Sequence, residues 1–267
     1  MSPRPARDLN IVKSWPIPYV STGYGPRLAA INCVTPAPTG SSYIFAMGTD
    51  TGVAVACDRD WTTDWLDKGH SGAWVPEPIL DIAWDPDNRF ILYGGTRSGS
   101  LWMADTRTAA AQPINLSHGG PISHVRPLRR RCGGGGQEVL LAGPLSKMAV
   151  YDTRFARPLS SHNGSPATTY HPLVQFPDFS NLERLHFGLD VEPGLGIVAA
   201  AHDDGTVAVY SLRTGRKLRG GEVGNIGSGD PVRSVQFARS AADAQASLWV
   251  GASSAAHRFS VWERDPG

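Results

Sequence analysis

Two short apolar runs separated by a tight turn recur along the chain, and this internal repeat limits the possible folds more than any other feature. The clearest copy is Ile197–Ala201, the turn at residues 202–205 and the run at residues 206–210. The other copies join residues 90–95 with 101–104, 139–143 with 148–151, 43–48 with 53–57, and 248–251 with 258–262. Short alternating runs around turn residues predict antiparallel hairpins.

Each hairpin ends at an equivalent position, and most are preceded by a further apolar run. The end positions are Asp58, Asp105, Asp152, Ser211 and Glu263, spaced somewhat above the roughly 40–45 residues of a WD-repeat blade. The preceding runs are Ile79–Trp84 and residues 122–125, 185–189 and 232–237. Residues 84–86 and 190–193 supply turns after two of these runs. Each unit therefore predicts three or four consecutive strands.

The repeat predicts an all-β fold of the WD-repeat β-propeller type. A single small sheet exposes two apolar faces, whereas stacked sheets bury those faces against each other. We count about five recognisable blades, so the propeller is open or truncated relative to the usual ring of about seven. The predicted propeller spans residues 27–264, with an N-terminal tail at 1–26 and a short end at 265–267. Residues 9–12 are a candidate strand to close the last blade.

The composition is that of a globular domain without a strong charge. Hydrophobic residues make up 41% of the chain, charged residues 18%, and the formal net charge is +1, which predicts no nucleic-acid partner. No signal peptide and no membrane-spanning apolar run is recognised, so we expect an intracellular protein, nuclear or cytoplasmic. Three cysteines do not form an even disulfide framework and are expected to be reduced, with Cys33 and Cys57 in the core and Cys132 in a loop.

At these hairpins the chain resembles WD-repeat proteins and, more narrowly, the cullin-four-associated substrate-receptor family. The resemblance covers roughly residues 79–262. It is carried by residues 95–99, 105–107, 122–126, 150–154 and 170–173 and by the last two hairpins. It implies a receptor that binds an adaptor protein and brings substrates to a cullin–RING ubiquitin ligase.

The family's adaptor-binding box consists of a strand, a Gly/Ser turn, a second strand and then Trp-Asp-x-Arg. Residues 140–154 match it with Tyr151 in place of Trp, residues 91–107 match it with Ala104 there, and the third copy has Ser211 in place of Asp. The resemblance therefore implies adaptor-binding roles for the side chains of Asp105, Arg107, Asp152 and Arg154. A guanidinium can pair with an acceptor across an interface while the Asp orients it. The alternative is an Asp that caps the turn and an Arg that is only solvated.

Signatures of catalysis are missing from the sequence. There is no phosphate-binding loop, no dinucleotide fingerprint and no His or Cys spacing typical of zinc, so we predict no enzyme activity, no catalytic residue, no cofactor and no metal. The run at residues 202–204 is interpreted as turn geometry, and the basic loop at 129–136 as a solvated insertion rather than an anion site. The large aromatic side chains are expected to pack between blades: Trp84, Trp102, Tyr151, Tyr210 and Trp262.

The sequence predicts a protein-interaction scaffold, most specifically a substrate receptor of a cullin–RING ligase whose partners are the adaptor and ubiquitination substrates. A first alternative is a scaffold subunit of another intracellular assembly, such as chromatin or RNA-processing machinery. A second alternative is a propeller hydrolase, for which the innermost strands offer only the isolated polar residues Asp81, His124 and His186.

Overall fold

The computed structural model of the chain is built from β-strands. It describes residues 19–22, 25–57, 63–66, 77–108, 110–114, 116, 118–128, 138–155, 171–219, 231–239, 246–252 and 254–261. Within these ranges, the only helical element is a 3₁₀ turn at Thr153–Phe155, and no helix there is both long and apolar enough to cross a bilayer. The prediction of an all-β fold is confirmed.

The strands form one hairpin and five larger sheets, in chain order. The hairpin is β1 (Tyr19–Thr22) and β2 (Gly25–Leu28). The first sheet is β3 (Ile31–Pro36), β4 (Tyr43–Thr49), β5 (Gly52–Cys57) and β6 (Thr63–Trp65); the second is β7 (Ile79–Trp84), β8 (Ile91–Thr96), β9 (Leu101–Asp105) and β10 (Ala110–Ile114). The third is β11 (His124–Leu128), β12 (Glu138–Gly143), β13 (Lys147–Asp152) and β14 (Val174–Gln175). The fourth is β15 (Leu189–Glu192), β16 (Ile197–Ala201) and β17 (Val207–Ser211); the fifth is β18 (Ser234–Arg239), β19 (Ala246–Ala252) and β20 (Ala255–Ser260).

Every sheet is an antiparallel meander in which each strand pairs with the next one along the chain. The central hairpin of each sheet overlaps one of the five predicted repeats, although β20 begins at Ala255, three residues before the predicted return strand at 258–262. In the fourth sheet, for example, Ile197 lies opposite Ser211 and Ala201 opposite Val207. The turn between β16 and β17 is closed by a hydrogen bond from the Gly205 N–H to the His202 carbonyl, with Gly205 at φ +79°. Asp-Gly therefore forms this turn as the sequence predicts.

Three of the predicted first strands begin later than expected. β11 starts at His124 rather than at residue 122, β15 at Leu189 rather than at residue 185, and β18 at Ser234 rather than at residue 232. The prediction of a turn at residues 190–193 is also wrong, because Asp190 and Glu192 pair with β16. The turn lies after Glu192, where Pro193 fixes φ and Gly196 adopts φ +66°.

Neighbouring sheets pack face to face, and side chains alternate between the two interfaces of each sheet. On β8, Leu92 packs toward the first sheet, whereas Ile91 and Tyr93 pack toward the third. On β12, Leu141 faces the second sheet and Leu140 the fourth. Each hydrophobic cluster therefore joins neighbouring sheets: one spans the first and second, one the second and third, and one the third, fourth and fifth.

Carboxylates on first strands add a second link between sheets. The Asp81 Oδ2 atom of β7 accepts hydrogen bonds from the Val125 N–H at 2.8 Å and from Arg126 Nη1 at 2.6 Å, both on β11. The Asp190 Oδ2 atom of β15 accepts the Phe237 N–H of β18 at 2.7 Å. Each contact bridges two consecutive sheets, and a closed ring of sheets is not found among the described residues.

Several sequence predictions fall outside the described residues. These are the candidate closing strand at 9–12, the thiol of Cys132, the loop at 129–136 and the side chain of Trp262. Trp84, Trp102, Tyr151 and Tyr210 are buried between sheets, as predicted. Cys33 and Cys57 are half-buried and form no disulfide among the described residues, and burial raises the pKa of Cys33 to about 12.

Strand-end glycines allow the close approach of sheets rather than the reversal of hairpins. A Cβ atom on Gly95 of β8 would lie 2.4 Å from Ile122 Cγ2 and 2.8 Å from the Ile122 carbonyl oxygen, in the segment leading to the third sheet. One on Gly48 would lie 2.9 Å from Ile79 Cγ2 of the second sheet. The turns use other glycines, including Gly99 at φ +91°.

We expect Gly95→Ala to lower the free energy of unfolding by about 1–3 kcal/mol, because the new methyl group overpacks the interface between two sheets. The measurement is denaturant unfolding of both proteins. Gly251→Ala is the control, with a smaller expected loss, because its nearest contact would be Ser234 Cβ at 3.2 Å. Equal losses in the two variants would contradict this role for Gly95.

Candidate functional site

The two Asp-x-Arg sequences lie at equivalent places in the second and third sheets. Asp105 is the last residue of β9 and Asp152 the last residue of β13. Each ends the third strand of its sheet, away from the turn that joins the second and third strands. We call Asp105, Arg107, Asp152 and Arg154 the rim pairs.

Both rim pairs have the same internal geometry. Arg107 Nε lies 2.9 Å from Asp105 Oδ1, and Arg107 Nη2 lies 2.5 Å from Asp105 Oδ2. The corresponding distances from Arg154 to Asp152 are 2.9 and 2.5 Å. The two N–H groups of each guanidinium therefore meet the two carboxylate oxygens side by side, which is the bidentate arrangement typical of Arg.

The same carboxylates also shape the backbone. In each pair the Oδ1 atom accepts the backbone N–H of the Arg two residues later, at 3.0 Å. An Asp side chain that binds the backbone two residues on forms a local turn. This contact accounts for the turn that the chain makes immediately after each Asp.

Exposure separates the two members of each pair. The side chain of Arg107 is 58% exposed and that of Arg154 39%, whereas those of Asp105 and Asp152 are 25% and 6% exposed. The hydrogen bond that Arg107 donates lowers the pKa of Asp105, and the hydrogen bond that Arg154 donates to Asp152 raises the pKa of Arg154. Each site presents a permanently charged guanidinium to solvent on a partly buried carboxylate.

The threonine inside each sequence is tied to the neighbouring structure. The Thr106 N–H donates to the Phe90 carbonyl at 2.8 Å, and the Thr106 carbonyl accepts the Tyr43 hydroxyl of the first sheet at 3.4 Å. Thr153 contacts the hydroxyl of Tyr93 of the second sheet. Arg107 also lies over the Phe90 ring, 5.0 Å from its centroid. These contacts tie both rim pairs to neighbouring parts of the fold.

The residues before the rim pairs point into the core. Ala104 is fully buried, and Tyr151 is buried with its hydroxyl 3.4 Å from His118 Nδ1. At the third copy, the Ser211 hydroxyl accepts the backbone N–H of Arg213 at 3.3 Å. A hydroxyl keeps the turn contact but carries no charge to pair with the guanidinium.

The first strands of four sheets line a cavity of about 450 Å³ that includes Asp81, Arg126 and Asp190. Sequence reasoning missed Arg126 and took Asp190 for a turn residue. Their spacing offered a signal, since Asp81 and Asp190 each contact a residue about one repeat later. Burial raises the pKa of Asp190. Asp81 is bound to Val125 and Arg126, so its observed contacts are structural.

His202 and Asp204 have partners close by in the sequence. His202 is buried with Nε2 2.6 Å from the Tyr210 hydroxyl. Asp204 Oδ1 accepts the Thr206 N–H at 2.9 Å within the turn, as the interpretation of residues 202–204 predicts. Among the residues that the structure describes, no group of three His, Cys, Asp or Glu side chains could hold a metal ion.

Similarity to known proteins is limited to the fold. No protein-family model and no curated protein sequence matches the chain. The computationally designed Ika8 protein is similar with a TM-score of 0.50 at 17% identity, over 82% of this chain and 55% of that one. The computationally designed Ika4 protein gives a TM-score of 0.47 at 16% identity, over 73% of this chain and 95% of that one.

Replacing the two rim carboxylates should have unequal effects on stability. We expect Asp152→Ala to cost about 1–3 kcal/mol, because it removes a buried acceptor of charged and backbone donors. Asp105→Ala should cost less than about 1 kcal/mol, since its pair is largely exposed. Urea unfolding of both variants checks this order, and a larger loss for Asp105→Ala would refute it.

His118 should make stability depend on pH. Burial, with the nearby charge of Lys147, lowers its pKa from 6.5 to about 4, so the unfolded chain binds the proton more readily. The full free energy of unfolding is therefore present above pH 6.5. It decreases as the pH falls toward 4, and His118 contributes up to about 3 kcal/mol to this decrease.

The contribution of His118 can be isolated by comparing unfolding free energies at pH 7 and 4.5 in the original protein and in His118→Gln. We expect a smaller decrease in the variant, because the remaining histidines titrate equally in both proteins. An identical decrease would show that His118 does not cause the pH dependence.

Proposed function

We propose that the chain is a protein-binding scaffold built as a WD-repeat type of β-propeller. The support is the order of its parts: five successive antiparallel meanders of three or four strands, each packed against the next. Propellers repeat such sheets around a central channel. The first strands of four sheets line the cavity that contains Asp81 and Arg126.

The observation that carries the binding function is the pair of exposed guanidinium groups of Arg107 and Arg154. They occupy the same position of two consecutive sheets and are held by the same bidentate contacts. Arginine is enriched at protein interfaces, where its remaining donors can meet acidic or carbonyl acceptors. An oriented side chain also loses less conformational freedom on binding.

The specific partner that we propose is the adaptor of a cullin–RING ubiquitin ligase, with ubiquitination substrates bound elsewhere on the scaffold. This rests on the resemblance of residues 140–154 and 91–107 to the adaptor-binding box. The family's Trp is replaced by Tyr151 and Ala104, both buried. Because Tyr151 and Ala104 are buried, they cannot contact the adaptor directly. The contact would be made by the rim pairs.

A scaffold subunit of another intracellular assembly is the second candidate. The bidentate pairs favour this candidate. Asp105 and Asp152 already accept the backbone N–H that closes each turn, and they also accept hydrogen bonds from part of each guanidinium. A structural Asp-x-Arg end needs no ligase partner. The two candidates differ in whether the exposed part of each Arg contacts the adaptor.

The test is co-purification of the tagged chain with the purified ligase adaptor. We expect Arg107→Ala with Arg154→Ala to reduce the recovered adaptor at least tenfold, since both charged contacts are lost. The matched control is Arg213→Ala, which removes the Arg of the copy that has Ser211 and should leave adaptor recovery unchanged.

Unfolding curves of all variants identify any loss that is due to misfolding. Equal recovery with and without the rim arginines would exclude them as the contact. If the original protein itself fails to recover the adaptor, the ligase proposal fails, and stable partners identified without ligase subunits would favour the second candidate.

A further inference from the structure

The turn between β12 and β13 in the third sheet has a strained backbone. Leu145 and Ser146 adopt φ values of 61° and 54°, and they are the only non-glycine residues with positive φ in the part of the chain that the structure describes. A bulky side chain disfavours this left-handed conformation. Such strain persists only where the surrounding structure enforces it, and it occurs mainly at functional sites.

A loop that follows the third sheet holds this turn in place. The Leu145 N–H donates to the Leu182 carbonyl at 3.0 Å, and the Ser146 N–H donates to the Asn181 carbonyl at 2.7 Å. The Asn181 N–H in turn donates to the Ser146 hydroxyl at 3.1 Å, and the Leu182 N–H donates to Asp203 Oδ2 at 2.5 Å. The backbones of Leu145 and Leu182 are therefore fixed beside each other.

The side chains of the same two leucines are exposed, by 55% for Leu145 and 62% for Leu182. We call these two residues the leucine pair. The hydrogen bonds that position them use their backbone groups, and asparagine tolerates the left-handed conformation better than leucine does. A leucine at position 145 is therefore not required by the fold. Apolar side chains on a fixed backbone lose little conformational freedom when a partner binds.

The corresponding turn of the second sheet, at residues 97–100, lies close to the leucine pair. A Cβ atom on Gly120 would lie 3.3 Å from Leu145 Cδ1, so the Leu145 side chain packs beside Gly120. A Cβ atom on Gly99 would lie 2.5 Å from the Gly120 carbonyl oxygen. The turns of the second and third sheets therefore belong to one continuous surface.

The charges around the leucine pair differ between its two ends. Lys147, at the start of β13, and Arg97, in the turn of the second sheet, are both exposed cations. At the other end Glu183 is exposed next to Leu182, while the Asp203 carboxylate is already bonded within the fold. The end that faces the second sheet is therefore basic and is complementary to carboxylates.

We propose that the leucine pair is a docking surface for a partner protein, which binds through a short segment that carries large apolar side chains and carboxylates. The apolar side chains would remove Leu145 and Leu182 from water, and the carboxylates would lie next to Lys147 and Arg97, where opposite charges attract. The turn precedes β13 and the rim carboxylate of its sheet ends that strand. The two surfaces are therefore separate, and the proposal does not depend on adaptor binding.

The probe is a random dodecapeptide library displayed on phage and selected against the immobilised full chain. We expect the enriched peptides to combine two or more large apolar residues with Asp or Glu. The most enriched peptide, labelled for anisotropy titrations, should bind at least tenfold more weakly to Leu145→Asn and to Leu182→Asn. The matched control is Leu173→Asn, which removes an equally exposed leucine from the segment bonded to Val150 of β13 and should leave the affinity unchanged.

The basic end is tested with the double variant Arg97→Gln and Lys147→Gln. This variant should bind the selected peptide at least threefold more weakly, and its affinity should fall less with added salt, because salt screens attraction between exposed charges. Equal affinity and equal salt dependence in the variant and the original protein would exclude the proposed carboxylate contacts.

Urea unfolding separates docking from support of the fold. Leu145→Asn relieves backbone strain, so its unfolding midpoint should equal or exceed that of the original protein although it binds the peptide more weakly. A lower midpoint would mean that part of this chain packs on Leu145, and would overturn the proposal.

Other results would overturn the proposal as well. They are a selection that enriches no peptide, enriched peptides that lack carboxylates, and unchanged affinity in folded Leu145→Asn and Leu182→Asn. Self-association of the original protein that Leu145→Asn abolishes would also overturn it, because the leucine pair would then be a contact between two copies of the chain.

Discussion

The interfaces between neighbouring sheets are the interaction on which the rest of the structure depends. A sheet of three or four strands is marginal alone, and here each interior sheet is apolar on both faces. Leu92 and Tyr93, adjacent in sequence, are both fully buried because they face different sheets. The carboxylates of Asp81 and Asp190 add to these interfaces, because each accepts a hydrogen bond from a backbone N–H of the following sheet.

The hairpins were predictable because local patterning determines them. Alternating apolar runs and turns such as Asp204–Gly205 need only a few neighbouring residues, and the fourth-sheet strand Ile197–Ala201 begins and ends as predicted. The starts of β11 and β15 were not predictable in the same way. Phe187 looks like a strand residue from its hydrophobicity, yet its burial comes from packing against distant sheets. The cross-sheet roles of Gly95 and Asp190 likewise depend on residues far along the chain.

The rim pairs show how one sequence element can serve local geometry and still present a charged group. The Asp forms the turn and orients the Arg, and the Arg remains exposed, so the residue pattern alone could not separate a structural role from a binding role. What the pattern could provide was the place: Asp105 and Asp152 end equivalent strands. The burial of Ala104 could not be read from the motif, because it follows from the packing of β9 against the first sheet.

The sequential arrangement of the sheets also affects how readily each sheet opens locally. An interior sheet such as the third is covered on both faces, but β20 is mostly exposed. Local opening requires the least free energy where the fewest buried contacts must be broken. The fifth sheet should therefore open more readily than the third, with its amides exchanging through sub-global unfolding while those of the third sheet exchange through global unfolding.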